Sequence, residues 1–353
     1  MDKIISIVIP TYNMEKYLRR CLDSLIVSNE LMPLLDVLII NDGSKDSSSQ
    51  IAHEYELRFP NTFKVIDKVN GNYGSCVNRG IKEASGKYFR ILDADDFFDT
   101  NSLISLIEKI VSFNEEPDLI ITNYQEDYVN GYSRYIINEQ YKYDILYDSE
   151  NVFLGKQKNG YLSAMHRMTY KLDVIKKSGL KHTEGISYTD TEYCFYPLRE
   201  VKTILFLNIT LYHYQIGRDG QTVSVASYQK NIHSLYMIID RMLTSFSCED
   251  VNASYYPNLI NVLSMILFTY YKVILTSKFE HSEDIKALDL RIYDFDISLY
   301  NYLASQKYAH LIPFIALWRK GFKTNGCVFT CAYKLIDGLL LLYRYCRRLF
   351  KRQ

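Results

Sequence analysis

Five short apolar runs, at residues 4–9, 37–40, 63–66, 88–92 and 119–122, constrain this chain more than any other feature. Each is shorter than a typical helix, and the stretches between them change to a helical period. Tyr17, Leu18, Cys21, Leu22 and Leu25 fall on one helical face, and residues 103–111 form another. Continuous apolar runs suit strands covered on both faces. Strand and helix in alternation then imply a mostly parallel sheet with right-handed crossovers. The expected class is α/β, Rossmann-like, with flanking helices. Asn13 is the expected N-cap of the first helix, with Asp46 and either Asp99 or Thr100 capping later ones. Residues 124–150 read as hairpin or loop, 151–225 as mixed, and 226–353 as helical. The expected domains are therefore 1–225, with halves at about 1–123 and 124–225, and 226–353.

The 353 residues suffice for two domains, and 48% hydrophobic with 23% charged residues predicts a packed core. Lys plus Arg equals Asp plus Glu, 41 each, so no global field draws the chain to nucleic acid. Seven cysteines without a C-x-x-C pair read as reduced thiols in a cytoplasmic setting. The opening MDKIISIVIP reads as a first strand rather than a signal peptide. Residues 258–275 come nearest to an apolar span, but Asn258, Asn261 and Lys272 make a buried helix the expectation. The terminal stretch has an apolar face, Leu335 to Tyr343, and then a run of Arg and Lys. It reads as an interfacial helix drawn to anionic lipid. A packed helix ending in solvated cations is the alternative.

Three of the strand ends carry unusual polar sets: Pro10 to Asn13, Asn41 to Ser44, and Asp93 to Asp96. In an open parallel sheet, ligands bind outside the carboxyl ends of the strands, so these sets converge if the strands are neighbours. Asp93 and Asp95 are two residues apart and share a side in extended backbone. Such close carboxylates repel and hold a proton unless a cation relieves them. Hard oxygen ligands suit Mg²⁺ or Mn²⁺, which bind through one or two carboxylates plus substrate phosphates.

The motifs IPTYN, NDGSKDSS, NRGIKEASGKY, ILDADD and YTDTEY, in this order, resemble those of the family-2 inverting glycosyltransferases of the GT-A fold. The resemblance covers about residues 1–225. It implies that Pro10, Thr11, Tyr12 and Asp42 hold the nucleotide, with Asn41 standing where the family often has Asp. Gly74 allows close backbone approach, and Arg79 either reaches a phosphate or braces its helix. Asp95 is the implied metal ligand, while Asp93 contacts sugar or ribose hydroxyls or a metal-bound water.

The segment YTDTEY corresponds to a family Glu-Asp pair whose Asp is the general base, here Asp190. Thr189 replaces the Glu, and Glu192 is the group at hand to compensate. In the late segment YHYQIGRDGQTVS, Arg218 is the natural phosphate contact. His213 is a candidate third metal ligand, although a packed histidine is favoured, and His166 is a candidate acceptor neighbour. The implied enzyme moves a sugar from a nucleotide-sugar, by family tendency a UDP-sugar, to a hydroxyl of a glycan acceptor, by analogy lipid-linked, in bacterial capsule or exopolysaccharide synthesis. Its cofactor is a divalent metal, Mn²⁺ or Mg²⁺. The competing readings are a sugar-1-phosphate nucleotidyltransferase, whose Gly-rich first loop is missing here, and a non-catalytic scaffold or membrane-docking protein of the same fold.

Overall fold

The computed structural model describes residues 2–155, 164–218, 221, 225–276, 282–307 and 313–321. The chain divides into two compact units, residues 1–222 with 245–262, and residues 223–244 with 263–353.

The first unit is built on a ten-stranded sheet: β1 (Ile5–Thr11), β2 (Leu35–Asn41), β3 (Phe63–Asp67), β4 (Tyr88–Ile91), β5 (Phe97–Phe98), β6 (Leu119–Tyr128), β7 (Ser133–Ile136), β8 (Leu146–Asp148), β9 (Met168–Lys171) and β10 (Thr203–Ile216). Its order is β3-β2-β1-β4-β9-β6-β10-β5, with β7 on β6 and β8 on β10. Strands β3, β2, β1 and β4 are mutually parallel, and β9 joins antiparallel between β4 and β6. The helices α1 (Leu18–Asp23), α2 (Ser48–Arg58), α3 (Asn72–Glu83) and α4 (Thr100–Ser112) follow β1, β2, β3 and β5. Every residue of β1, β2 and β4 is buried, as the continuous apolar runs require. The winding direction reverses between β1 and its neighbours β2 and β4, which is where an open α/β sheet leaves a crevice.

Shorter helices α5 (Ser149–Phe153), α6 (Leu172–Lys177) and α7 (Asp190–Phe195) complete the contiguous part. Asp99 caps α4 by accepting the Ser102 N–H at 2.8 Å, and Asp46 accepts the Ser48 N–H at 3.0 Å in the first turn of α2. The expected Asn13 cap is not formed. Asn13 lies at φ 53°, and α1 begins only at Leu18, after Tyr17.

The helical part is not one contiguous block. Residues 245–262 pack with the first unit, where Arg199 pairs with Asp250 at 3.0 Å and the Phe195 and Phe246 rings meet edge to face at 5.6 Å. The chain continues through α8 (Val225–Lys230), α9 (Ile232–Thr244), α10 (Tyr256–Thr276), α11 (Ser282–Phe295), α12 (Ile297–Ser305) and α13 (Phe314–Arg319). In the second unit Asp289 accepts from Arg319 at 2.6 Å and from the Tyr271 hydroxyl. Residues 256–275 make a helix long and apolar enough to cross a membrane, but 67% of its apolar window is buried in the structure. The basic C-terminal stretch, expected as a helix, lies outside the described residues.

Candidate active site

The register of β1 and β2 pairs Thr11 with Asn41, and the Asp42 N–H donates to the Thr11 carbonyl at 2.8 Å. The two loops therefore leave the sheet side by side and are zipped together. The Asn13 N–H donates to Ser44 Oγ at 3.0 Å, and Asn13 Oδ1 accepts the Lys45 N–H at 2.8 Å. Those bonds take the Asn13 side chain away from any cap. Pro10 and Thr11 are buried strand residues, and the Thr11 hydroxyl is spent on the Ile9 carbonyl at 3.1 Å. Tyr12, 45% exposed, presents its ring to a cavity of about 710 Å³ that Tyr17, Val129 and Arg218 also line.

Asp42 is buried, and its Oδ1 accepts from Lys68 Nζ at 2.5 Å and from the Gly71 N–H at 2.9 Å. Lys68 stands just past the end of β3 and also donates to Ser75 Oγ at 2.8 Å. The sequence signal for it was a cation at a third strand end. Asn41 donates through Nδ2 to Asp67 at 2.6 Å. An aspartate at 41 would meet Asp67 as a like charge, which gives the departure a structural reason.

The acidic triplet past β4 divides its work. Asp96 is fully buried, accepting the Tyr212 hydroxyl at 2.7 Å and the Gln215 N–H at 2.8 Å. Asp95 is paired with the Arg218 guanidinium, and its carbonyl accepts Arg20 at 2.9 Å. Asp93 accepts the Tyr73 hydroxyl at 3.0 Å. Burial first, and then the charge of Asp95, push the Asp93 carboxyl up to about 8. Burial and both neighbours push Asp96 well up.

Ligand atoms of Asp93, Asp96 and His166 lie within 4.8 Å of one another. The His166 ring stacks near Tyr124 and Tyr214, at 5.3 and 4.4 Å, with the Tyr212 edge at 4.7 Å. Its carbonyl accepts from the buried Arg90. Burial, then the Arg90 charge, hold the imidazole down to about 3, so it is neutral, as a metal-binding imidazole must be. His213 stands elsewhere: successive side chains of β10 alternate faces, and its ring stacks on Phe97 at 4.5 Å while Nδ1 meets Asp127 at 2.8 Å. Arg79 is exposed and paired with Glu83 at 3.0 Å along α3, the bracing arrangement.

Asp190 is the first residue of α7, just past Tyr188 at φ 68°, and burial pushes its carboxyl up. Its charge in turn raises Asp93 and the Tyr73 hydroxyl, so it faces the same cluster. Glu192 serves the loop before α7 by accepting the Thr183 N–H at 2.7 Å and hydroxyl at 2.9 Å. That loop is bolted to α3. Asn78 Nδ2 donates to the His182 carbonyl at 2.9 Å and Asn78 Oδ1 accepts its N–H at 2.7 Å, while the Gly185 N–H donates to the Gly71 carbonyl at 3.0 Å. A Cβ on Gly74 would stand 2.2 Å from the Thr183 carbonyl oxygen, so only glycine permits this approach. The sequence reading missed Lys68, Tyr73, Tyr212 and Tyr214, whose site contacts are long-range.

An open sheet with an acidic strand end at its reversal point, faced by a further carboxylate on a later helix, is the arrangement of GT-A glycosyltransferase domains. Residues 6–171 match Glycosyl transferase family 2. EpsH of Bacillus subtilis (strain 168) is 27% identical over 65% of this chain and 64% of its own length. A poly(ribitol-phosphate) beta-glucosyltransferase of Bacillus spizizenii is 31% identical over 63% of this chain and 34% of its own. The chain thus spans less than two thirds of the length of these relatives. S. aureus TarS, solved in complex with UDP-GlcNAc, superimposes with a TM-score of 0.60 at 20% identity, covering 84% of this chain and 82% of that one. The fold of the chain is therefore GT-A.

Proposed function

We propose that this chain is an inverting glycosyltransferase that moves a sugar from a UDP-sugar to a hydroxyl of a bacterial cell-surface glycan. The observation that carries the reading is the cluster of Asp93, Asp95 and Asp96 at the crevice where β1 and β4 end, with the charge of Asp190 acting on Asp93. In this reading Tyr12 stacks on the base, and Asp42, fixed by Lys68 and Gly71, accepts from base or ribose. Asp190 takes the proton of the acceptor hydroxyl as its oxygen bonds to the anomeric carbon. The bond from that carbon to the diphosphate breaks on the opposite face, which inverts the centre. A carboxyl pushed up by burial is a stronger base than an ordinary carboxylate, which suits the role.

The donor set fits a divalent cation. Three ligand atoms lie close together and the imidazole is neutral. Asp93, Asp96 and His166, with Asp95 once Arg218 releases it, would hold Mn²⁺ or Mg²⁺, which when bound supplies charge stabilisation to the diphosphate. Arg218 adds a charge-assisted donor there. The TarS complex with UDP-GlcNAc supports a UDP-sugar, and the poly(ribitol-phosphate) enzyme supports a cell-wall acceptor. The basic C-terminus would keep the chain at the inner face of the plasma membrane, beside a lipid-linked acceptor.

Thermal unfolding with UDP, GDP, CDP and dTDP, each with Mn²⁺ and with EDTA, tests the donor site. A nucleotide at a hundred times its Kd adds about 2.7 kcal/mol. The expected result is stabilisation by UDP that EDTA abolishes. Absence of stabilisation by every nucleotide would favour the non-catalytic scaffold.

A further inference from the structure

The first turn of α3 touches all three acidic stations of the crevice. The Gly71 N–H binds Asp42, and the Gly71 carbonyl and Gly74 hold the loop that leads to Asp190. The third contact is made by a side chain, the Tyr73 hydroxyl on Asp93 Oδ1 at 3.0 Å. Asn72, the residue before it, sits in the left-handed region at φ 65°, a conformation that a non-glycine residue adopts at a cost. Helix α3 begins at that strained residue, and its next side chain enters the crevice.

A hydrogen bond to one oxygen of Asp93 fixes the last torsion of the side chain and with it the direction of the second oxygen. Tyrosine suits the holding task. Its ring is rigid, with only two side-chain torsions, and its hydroxyl donates a single directed hydrogen bond. The Tyr73 ring is half-buried, and its oxygen also lies 3.4 Å from Met165 Sδ, in the segment just before His166. The hydroxyl therefore touches the segment that supplies the imidazole while it holds the carboxylate.

We infer that Tyr73 is a positioning residue for the nucleotide-sugar: its hydroxyl locks the Asp93 carboxylate so that the second oxygen faces the place where the cation and the donor diphosphate would sit. This rests on the donor site proposed above. Tyr73 does not itself touch the reacting atoms in this assignment. It acts through Asp93, and that is what separates it from a residue that merely fills space.

The test is a double-mutant cycle of wild type, Tyr73→Phe, Asp93→Asn and the double variant, read in two ways. Calorimetry with UDP and Mn²⁺ reads donor affinity, and urea unfolding of the ligand-free proteins reads whether the side chains couple in the fold. Tyr73→Phe removes the hydroxyl and keeps the ring. It should weaken UDP about tenfold in the Asp93 background, the usual worth of a hydrogen bond to a charged group. In the Asp93→Asn background the same change should alter UDP affinity by less than about twofold. Equal weakening in both backgrounds would overturn the inference, since Tyr73 would then act independently of Asp93. Coupling in urea with unchanged UDP affinity would overturn it too, because the bond would be structural only. Failure of the wild type to bind UDP with Mn²⁺ would instead strike the donor site itself, and with it this role of Tyr73.

Discussion

The two sides of the crevice supply their groups in different ways. On the β3-β2-β1-β4 side the site residues stand in loops just past parallel strand ends, as Tyr12, Asp42, Lys68 and Asp93 do. On the β9-β6-β10 side they stand inside strands or just before them, as with Tyr124 in β6, His166 ahead of β9, and Tyr212 and Tyr214 in β10. A strand end opens to water and tolerates charge, whereas a position within a sheet favours aromatic rings. One side therefore delivers carboxylates and the other a wall of low polarity. That wall is the reason the carboxyls of Asp93 and Asp96 are displaced upward, since desolvation is the first cause of both shifts. Helix α3 is tied to the first side at Asp42 and to the Asp190 loop at residues 182–185, so it sets the spacing between Asp42 and Asp190.

If the sides divide the labour of donor binding and proton removal, removing the base should leave donor binding alone. Asp190→Asn is isosteric and should lower kcat for transfer by about a thousandfold, within the range for a positioned general base. Its UDP affinity should stay within about twofold of wild type, because Asp190 makes no demand on the diphosphate. The pH profile sharpens the point. Burial raises the folded carboxyl, so wild-type transfer falls as pH drops through a value above the ordinary carboxylate one of about 3.9. The Asn variant should lack that acidic limb. Loss of UDP affinity with residual transfer intact would place Asp190 on the donor side and break the division.

The converse change is on the parallel side. Asp42→Ala leaves Lys68 without its buried partner and the Gly71 N–H without an acceptor. It should cost about 3 kcal/mol in urea unfolding, at the low end for breaking a buried pair, together with most of the UDP affinity. Adding Lys68→Met should restore much of the stability and none of the UDP binding. Recovery of both would mean that Asp42 serves the fold alone. Gly74→Ala probes the connection between the sides. Its Cβ has to displace the Thr183 backbone, so about 2 kcal/mol of stability should be lost, as in overpacked sites. UDP affinity and transfer should fall together, in contrast with Asp190→Asn.

The same difference between the sides decides what could be read without coordinates. The polar sets after β1, β2 and β4 were legible because each follows its strand in sequence, and parallel neighbours end at one edge. Lys68 and Tyr73 were harder, since their partners Asp42 and Asp93 lie 26 and 20 residues away. In β10 the faces could not be counted at all. Register shifts against β6 between Phe206, Thr210 and Tyr212 decide which residues look inward. They send Tyr212 and Tyr214 to the acid cluster and His213 to Asp127. Asn13 failed as a cap for a related reason, because the opposing loop supplied a better partner than its own helix.

Arg218 brings the two sides into competition, and it predicts effects of opposite sign. Its guanidinium occupies Asp95 and stands over the Tyr17 ring at 5.2 Å. In the proposed site a divalent cation would take that carboxylate, so bound metal and the Arg218 contact would exclude each other at Asp95. Arg218→Gln removes the competitor, and Mn²⁺ alone, followed by electron paramagnetic resonance, should bind about threefold tighter. The diphosphate meanwhile loses a charge-assisted donor, so UDP in the presence of saturating Mn²⁺ should bind about tenfold more weakly. A purely structural ion pair gives a different result, because its loss would loosen the loop and lower both affinities. Mn²⁺ binding that weakens along with UDP would thus show that Arg218 holds Asp95 in place for the metal, and would remove the exchange from this account.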